Sequence, residues 1–245
     1  MQVEKVTFQN VNKGKPGWSN RDSFACTKYT MVYEEDKHFI DSVIEKSEEI
    51  LKKLNAGGAN TSLKRDDETR KIDAISGFLA EAIALYFYGD IGGDENVYSK
   101  EATSSYHQID LNTVSGKTIE VRSSFVFGFP NIPLFKLNKE PSFEGHASYN
   151  IPCTYTNGYK KSDISKDFYT LIMFPSKKED FLNDIKKELT FYVTGTATKS
   201  EVINSGGYAT LKTNDIATKT FNTSYKVVPI HKSLDVSQLE KVFTT

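Results

Sequence analysis

Apolar residues recur at helical spacing through residues 36–54, where Phe39, Ile40, Val43, Ile44, Ile50, Leu51 and Leu54 form one stripe. Asn55-Ala56-Gly57-Gly58 ends that helix. A second helix is predicted over 66–88. Asp66, Asp67 and Glu68 suit its N-terminus, and Gly89 stops it. The period then changes from helical to alternating. Residues 107–111 and 118–122 read as two strands joined by a turn at Ser115-Gly116-Lys117. A long stretch over 128–166, with several Pro, Gly and Asn, reads as loop. Phe168–Phe174 is mostly apolar and reads as a central strand. Residues 178–187 are predicted helical, 189–195 a strand, 198–204 a short helix and 225–230 a late strand. Ser233 or Asp235 caps a final helix through Phe243, with Leu239 and Val242 facing inward. The first 35 residues are turn-rich (Lys15-Pro16-Gly17, Ser19-Asn20) and read as an irregular lead-in. The order predicts one α/β (α+β) domain over residues 1–245, a central mixed β-sheet flanked by helices.

Two positions break the apolar pattern where chemistry is expected. Between Ala74 and Gly89 the only charged residue is Glu81. Its helical neighbours Gly77, Phe78, Ala84 and Leu85 have no polar side chains, so it has no polar face to join. Such a carboxylate is costly unless it is paired or metal-bound. The bland alternative is a partly buried Glu paired with a distant Arg or Lys. The second break is in the hairpin. Asp110 lies between Ile109 and Leu111, and Glu120 between Ile119 and Val121. Alternation puts these apolar residues on one face and Asp110, Glu120 and Arg122 on the other. Converging carboxylates are what a magnesium ion requires. The alternative is a solvated polar face with Glu120 and Arg122 simply paired.

Composition narrows the partners. The 245 residues carry a formal net charge of −1, so charge alone does not indicate a nucleic-acid binder. The distribution is more informative. Residues 1–100 hold 17 acids and 14 bases, and residues 101–245 hold 15 and 17. Residues 190–234 carry Lys199, Lys212, Lys219, Lys226 and Lys232 against Glu201 and Asp215. Residues 145–162 have no acid but include His146, Tyr149, Tyr155, Asn157, Tyr159, Lys160 and Lys161. Either stretch suits a DNA groove, and either suits an ordinary polar loop. Cys26 and Cys153 are too few for a zinc site and read as free thiols. No unbroken apolar run approaches the length of a membrane span, and no leader pattern opens the chain, so a cytoplasmic protein is expected. The four His lack metal-ligand spacing. There is no Gly-x-Ser-x-Gly elbow and no phosphate loop with Gly-Lys-Ser/Thr.

The order helix-Glu, strand-Asp, turn, strand-Glu-x-basic resembles the PD-(D/E)XK nuclease superfamily, most closely its type II restriction endonucleases. The resemblance covers residues 66 to the C-terminus. It implies a restriction-endonuclease-like core and Mg²⁺-dependent cleavage of double-stranded DNA. It also implies a homodimer on a palindromic site and a cognate DNA methyltransferase as genetic partner. By this resemblance Asp110 and Glu120 hold the metal, Glu81 adds an outer or second contact, and the Val121 carbonyl is a further ligand. The motif's basic position falls on Arg122, where the family usually has Lys. Arg donates hydrogen bonds to phosphate but does not deprotonate, so it implies an electrostatic and water-positioning role. Lys117, in the turn, is a poorly placed substitute. His107-Gln108-Ile109 stands where the family name has Pro. Contacts to DNA are expected from Lys117, Asn157, Lys160, Lys161 and Lys199. The 128–166 segment, with Asn131, Asn138 and Asn150, would read bases. A repair or phage-defence nuclease, or a catalytically decayed DNA-binding protein, are the alternatives.

Overall fold

The computed structural model describes residues 1–9, 13–14, 20–57, 66–92, 97–99, 111–125, 150–155, 166–205, 207–212 and 222–243. The central sheet has seven strands. In chain order they are β1 (Gln2–Gln9), β2 (Ser23–Val32), β3 (Val97–Ser99), β4 (Leu111–Thr113), β5 (Thr118–Phe125), β7 (Phe168–Phe174) and β8 (Glu188–Thr198). They lie in the order β1-β2-β8-β7-β5-β4-β3. Within it β5 and β7 run parallel, while their other neighbours are antiparallel. A parallel pair needs a long crossover. Here the chain between the two strands includes β6 (Asn150–Tyr155). That strand leaves the central sheet and forms a second, antiparallel sheet with β9 (Gly207–Lys212) and β10 (Asn222–Pro229), in the order β6-β10-β9.

One face of the central sheet is covered by helices α1 (Tyr33–Gly57), α2 (Asp67–Gly92) and α5 (Val236–Phe243). Ile75, Leu79 and Ile83 of α2 pack on Ile119, Val121 and Ile172 of the sheet. The other face meets the second sheet, not a helical layer. Ile151, Cys153 and Val228 bury against Phe24, Tyr169, Leu171 and Tyr192. The molecule is therefore mixed α/β with helices on one face and a small sheet on the other. The short helix α4 (Lys199–Ser205) joins that second layer through Val202. Among the described residues α2 alone is long and apolar enough to cross a membrane by length and composition. Its Ile75, Leu79 and Ile83 instead lie fully in the core.

The helix starts follow local capping. Asp66 accepts the Thr69 backbone N–H at 2.6 Å ahead of α2. Thr198 and Glu201 cap each other reciprocally at α4, with distances of 2.7 and 3.2 Å. At α5 the cap is Asp235, which accepts the Gln238 N–H at 3.0 Å while Gln238 accepts the Asp235 N–H at 3.2 Å.

Several expectations are corrected. The first 35 residues hold β1 and β2, not an irregular lead-in. Strand β2 buries Phe24 and Cys26 on the second-sheet face but Tyr29 and Met31 on the helical face. Its two halves bury opposite faces, so no single alternation runs through it. The stretch predicted helical over 178–187 is a 3-10 turn at Lys178–Asp180 followed by α3 (Phe181–Asp184). Val242 is 42% exposed, and Phe243 is the buried residue of that turn. Residues 107–110 of the expected first hairpin strand lie outside the described residues, and β4 begins at Leu111. The turn that follows uses Gly116 at φ 88°, a conformation that favours glycine.

Gly195 of β8 sits where the C-terminal segment crosses the sheet. Thr196 and Leu234 exchange two backbone hydrogen bonds at 3.0 Å. A Cβ on Gly195 would stand 2.8 Å from Ser233 Oγ and 3.0 Å from both the Leu234 carbonyl oxygen and Phe24 Cζ. Ser233 Oγ cannot easily retreat, because it donates to the Ile230 carbonyl at 2.7 Å. Gly195→Ala is expected to destabilise the fold by about 1–3 kcal/mol in urea unfolding. Gly77→Ala, where nothing lies within 4 Å of the new Cβ, is expected to stabilise α2 by roughly 1 kcal/mol. Equal effects of the two substitutions would contradict this packing.

Candidate active site

The site is built on β5, whose side chains alternate between the two layers. Ile119 and Val121 enter the helical core. Glu120 and Arg122 emerge on the opposite face, in register with Tyr169 and Leu171 of β7. That face is not solvated. Glu120 is only 7% exposed. Its Oε1 lies 2.8 Å from Arg122 Nη2, and its Oε2 lies 3.9 Å from Lys166 Nζ. Arg122 Nη2 also donates to the Cys153 carbonyl of β6 at 3.2 Å. The guanidinium thus ties the central sheet to the second sheet through one carboxylate and one carbonyl.

Lys166 is the residue that inspection of the sequence missed. It is 3% exposed, on the segment entering β7. Its backbone N–H donates to Tyr169 Oη at 2.8 Å. The next residue, Asp167, accepts the Thr118 N–H at 2.8 Å and the Thr118 hydroxyl at 2.9 Å. Asp167 N–H donates in turn to the Thr118 carbonyl at 3.0 Å. Thr118 is two residues before Glu120 on the same face, so these bonds fix Lys166 beside the carboxylate. The only local sign in the sequence is a Lys-Asp pair before an apolar strand. The parallel pairing that gives it meaning is a long-range feature.

Glu81 approaches from α2. Burial is the main cause that pushes its carboxyl up to about 7, and the charge on Glu120 adds to it. Glu120 emerges on the sheet face away from α2, so its effect on Glu81 is the smaller of the two causes. Among the described residues no ion pair engages Glu81. Near neutral pH it holds a proton in a large fraction of molecules, which relieves mainly the cost of burying its charge.

The proton has a stability consequence with a definite sign. The folded-state value is raised above the usual 4.5, so the folded state binds the proton more tightly than the unfolded chain between about pH 4.5 and 7. Stability contributed by Glu81 is fully present below pH 4.5 and is lost as pH rises to about 7. At 1.36 kcal/mol per unit the loss is of order 3 kcal/mol. Glu81→Gln, neutral at every pH, is expected to raise Tm in metal-free buffer at pH 8 and to leave it nearly unchanged at pH 4.5. A variant that stabilises equally at both pH values would contradict the raised Glu81 carboxyl.

The other expected site residues fall in different places. Lys117 Nζ donates to the Phe243 carbonyl at 3.2 Å and lies 5.4 Å from that ring's centroid, so it is held at α5. The Val121 side chain packs in the helical core. Lys199 is exposed at the start of α4, and its N–H donates to the Asp167 carbonyl at 2.9 Å, one residue from Lys166. Asp110, Asn157, Lys160 and Lys161 lie outside the described residues, as do His107, Asn131 and Asn138. Of the expected base-reading segment, Asn150–Tyr155 is strand β6, with Ile151 and Cys153 buried.

One further group on this face is relevant to ligand fit. Asn112 pairs in register with Thr118, so it shares the face of Glu120. Its Nδ2 is buried with no hydrogen-bond partner among the described residues. Among the described residues no three His, Cys, Asp or Glu converge as a metal cage. Glu81 and Glu120 carry oxygen donors of the type hard divalent cations take, and both oxygens of Glu120 face Arg122 and Lys166. Compared with known protein families, with curated proteins and with solved structures, the chain matches none of them.

Proposed function

We propose that the protein is a Mg²⁺-dependent endodeoxyribonuclease on a restriction-endonuclease-like core, cutting double-stranded DNA at a specific sequence. The observation that carries the reading is the buried Glu120 of β5 beside Arg122 and Lys166, whose charge adds to the raised carboxyl of Glu81 on α2. Arg122 at the second position after Glu120 agrees with the Glu-x-basic order. Glu120 and Glu81 would hold the metal together with Asp110, the residue before Leu111 in the chain, and the Val121 carbonyl.

A bound Mg²⁺ would supply a water of lowered pKa and a counter-charge for phosphate oxygens. The protein's own groups do the rest. Glu120 orients the donors around it. Arg122 stays charged and offers hydrogen bonds to a phosphate oxygen, without acting as a base. Glu81, whose carboxyl is raised, would hold such a cation as the carboxylate. Lys199, exposed beside the segment that carries Lys166, would contact the DNA backbone, with Asn157, Lys160 and Lys161 as further contacts. Lys117 is committed to Phe243. Cutting both strands of a palindrome needs two sites related by a two-fold axis, so a homodimer and a methyltransferase partner follow from the specific-cleavage reading.

One observation favours a second reading. Both oxygens of Glu120 face cations, an arrangement that also suits a tie between sheets in a DNA-binding protein that no longer cuts. Incubation of large unmodified duplex DNA with the protein and Mg²⁺, beside an EDTA control, separates the two. Discrete bands that vanish in EDTA are expected. Random or structure-dependent cutting would favour a repair or phage-defence enzyme, and binding without cutting would favour the decayed form.

A further inference from the structure

We propose that the free edge of β1 docks a second copy of this chain, whose own β1 pairs with it antiparallel about a two-fold axis at Val6. The two seven-stranded sheets then become one. Strand β1 ends the central sheet, with β2 as its neighbour. It runs for eight residues in unbroken register with β2, without proline or bulge. The opposite end strand, β3, has three residues. A long, regular edge strand is a template for another strand, because half of its backbone groups have no partner.

Which groups are free follows from the ladders. Tyr33 N–H donates to the Lys187 carbonyl at 2.8 Å, one pair beyond Val32 and Glu188 of the β2–β8 register. Bonded residues alternate along an antiparallel strand, so Met31, Tyr29 and Thr27 also bond to β8. Ala25, of the same set, turns its N–H to Asp235 Oδ2 at 3.2 Å. The residues between them, Phe24, Cys26, Lys28 and Thr30, bond to Phe8, Val6, Glu4 and Gln2 of β1. Val3, Lys5 and Thr7 therefore aim their N–H and C=O groups outward, and all three residues are exposed. Among the described residues no other backbone group takes them up.

Charge and symmetry then choose the register. Charged side chains commonly protect a sheet edge. Here both are drawn inward: Glu4 pairs with Lys28 at 3.5 Å, and Lys5 pairs with Glu240 of α5. A two-fold axis between antiparallel strands passes through a residue, because each side chain must meet its counterpart on the same face. An axis at Lys5 or at Glu4 sets like charges directly opposite, which is destabilising. An axis at Val6 sets Val6 against Val6 and Lys5 against Thr7, and the new ladder runs from Val3 to Gln9. An axis nearer either end of the strand shortens that ladder. Strand β5 lies four strands in from β1, so the joined sheet sets the two Glu120 residues nine strand spacings apart, about 43 Å. That is the length of roughly a dozen base pairs. The contact is therefore separate from a pair that closes on one short palindrome, and it stands whether or not the protein cuts DNA.

Sedimentation equilibrium at high micromolar concentration measures the mass. Wild type is expected at twice the mass of one chain. Thr7→Pro deletes an N–H that the fold does not use, a change that edge strands tolerate. It is expected to sediment as a single chain with Tm nearly unchanged. Val6→Cys is expected to form a disulfide-linked dimer once reductant is removed, since the two sulfurs meet at the axis. The native Cys26 and Cys153 are buried and do not compete. Val3→Cys, which faces Gln9 of the other copy, is expected not to link to itself. Wild type that sediments as a single chain overturns the proposal, as does folded Thr7→Pro that still pairs. Should Thr7→Pro fail to fold, the cysteine variants decide. Linkage of Val6→Cys without linkage of Val3→Cys supports the axis, and equal linkage or none overturns it.

Discussion

Glu120→Gln is expected to lower the rate of Mg²⁺-dependent DNA cleavage by roughly a thousandfold or more, the scale for removing a central charged group from a preorganised site. The amide keeps the volume of the carboxylate, so the packing against Tyr169 is preserved. It loses the charge that faces both Arg122 and Lys166 and that acts on Glu81. The Glu81 carboxyl is then expected to fall only part of the way, since burial, the larger cause of its elevation, remains. Single-turnover cleavage measures the first effect, and the pH dependence of Tm for Glu120→Gln measures the second. A Glu120→Gln protein that cuts within tenfold of wild type would remove Glu120 from the chemistry altogether.

The second large effect is on stability. Arg122→Met removes the nearer cation from a carboxylate that is 7% exposed and leaves Lys166, at 3.9 Å, as its ion partner among the described residues. Breaking a buried pair by deleting one member costs about 3–5 kcal/mol, because the remaining charge stays desolvated. The Arg122 side chain retains 20% exposure, which favours the lower end. The link to the Cys153 carbonyl is lost as well, so the second sheet loosens with it. Urea unfolding at pH 7 checks the loss. The double variant Glu120→Gln with Arg122→Met is expected to recover part of it, since neither charge then remains unmatched. A loss below about 1 kcal/mol for Arg122→Met alone would mean that the pair is effectively solvated.

Parts of this arrangement are legible in the sequence for clear reasons. Helices α1 and α2 carry stripes and stop signals. Strand β7 is buried at all seven positions and reads as a continuous apolar run. Glu81 stands out because its neighbours on α2 have no polar side chains, and the raised carboxyl is the physical counterpart of that isolation. The alternation at Ile119, Glu120, Val121 and Arg122 assigns the faces of β5 as they are found. What the sequence conceals is mostly long-range. Strand β2 changes its buried face midway. Strands β6 and β9 are short and lie in segments rich in turn formers. Lys166 gains its meaning only from the parallel pairing of β5 with β7, which no local pattern encodes. The polar face of β5 is buried for the same reason, because the layer that covers it is a separate sheet formed from distant segments.

In the proposed nuclease Glu120, with Glu81, would hold a divalent cation. Titration of the protein with Mn²⁺, followed by the loss of the free-ion paramagnetic resonance signal at pH 7.5, measures this directly. Saturable binding by wild type is expected, weakening at least about tenfold in Glu120→Gln, as when a carboxylate ligand is lost. Wild-type protein that leaves the free-ion signal unchanged, or Glu120→Gln protein that binds Mn²⁺ as tightly as wild type, would contradict it.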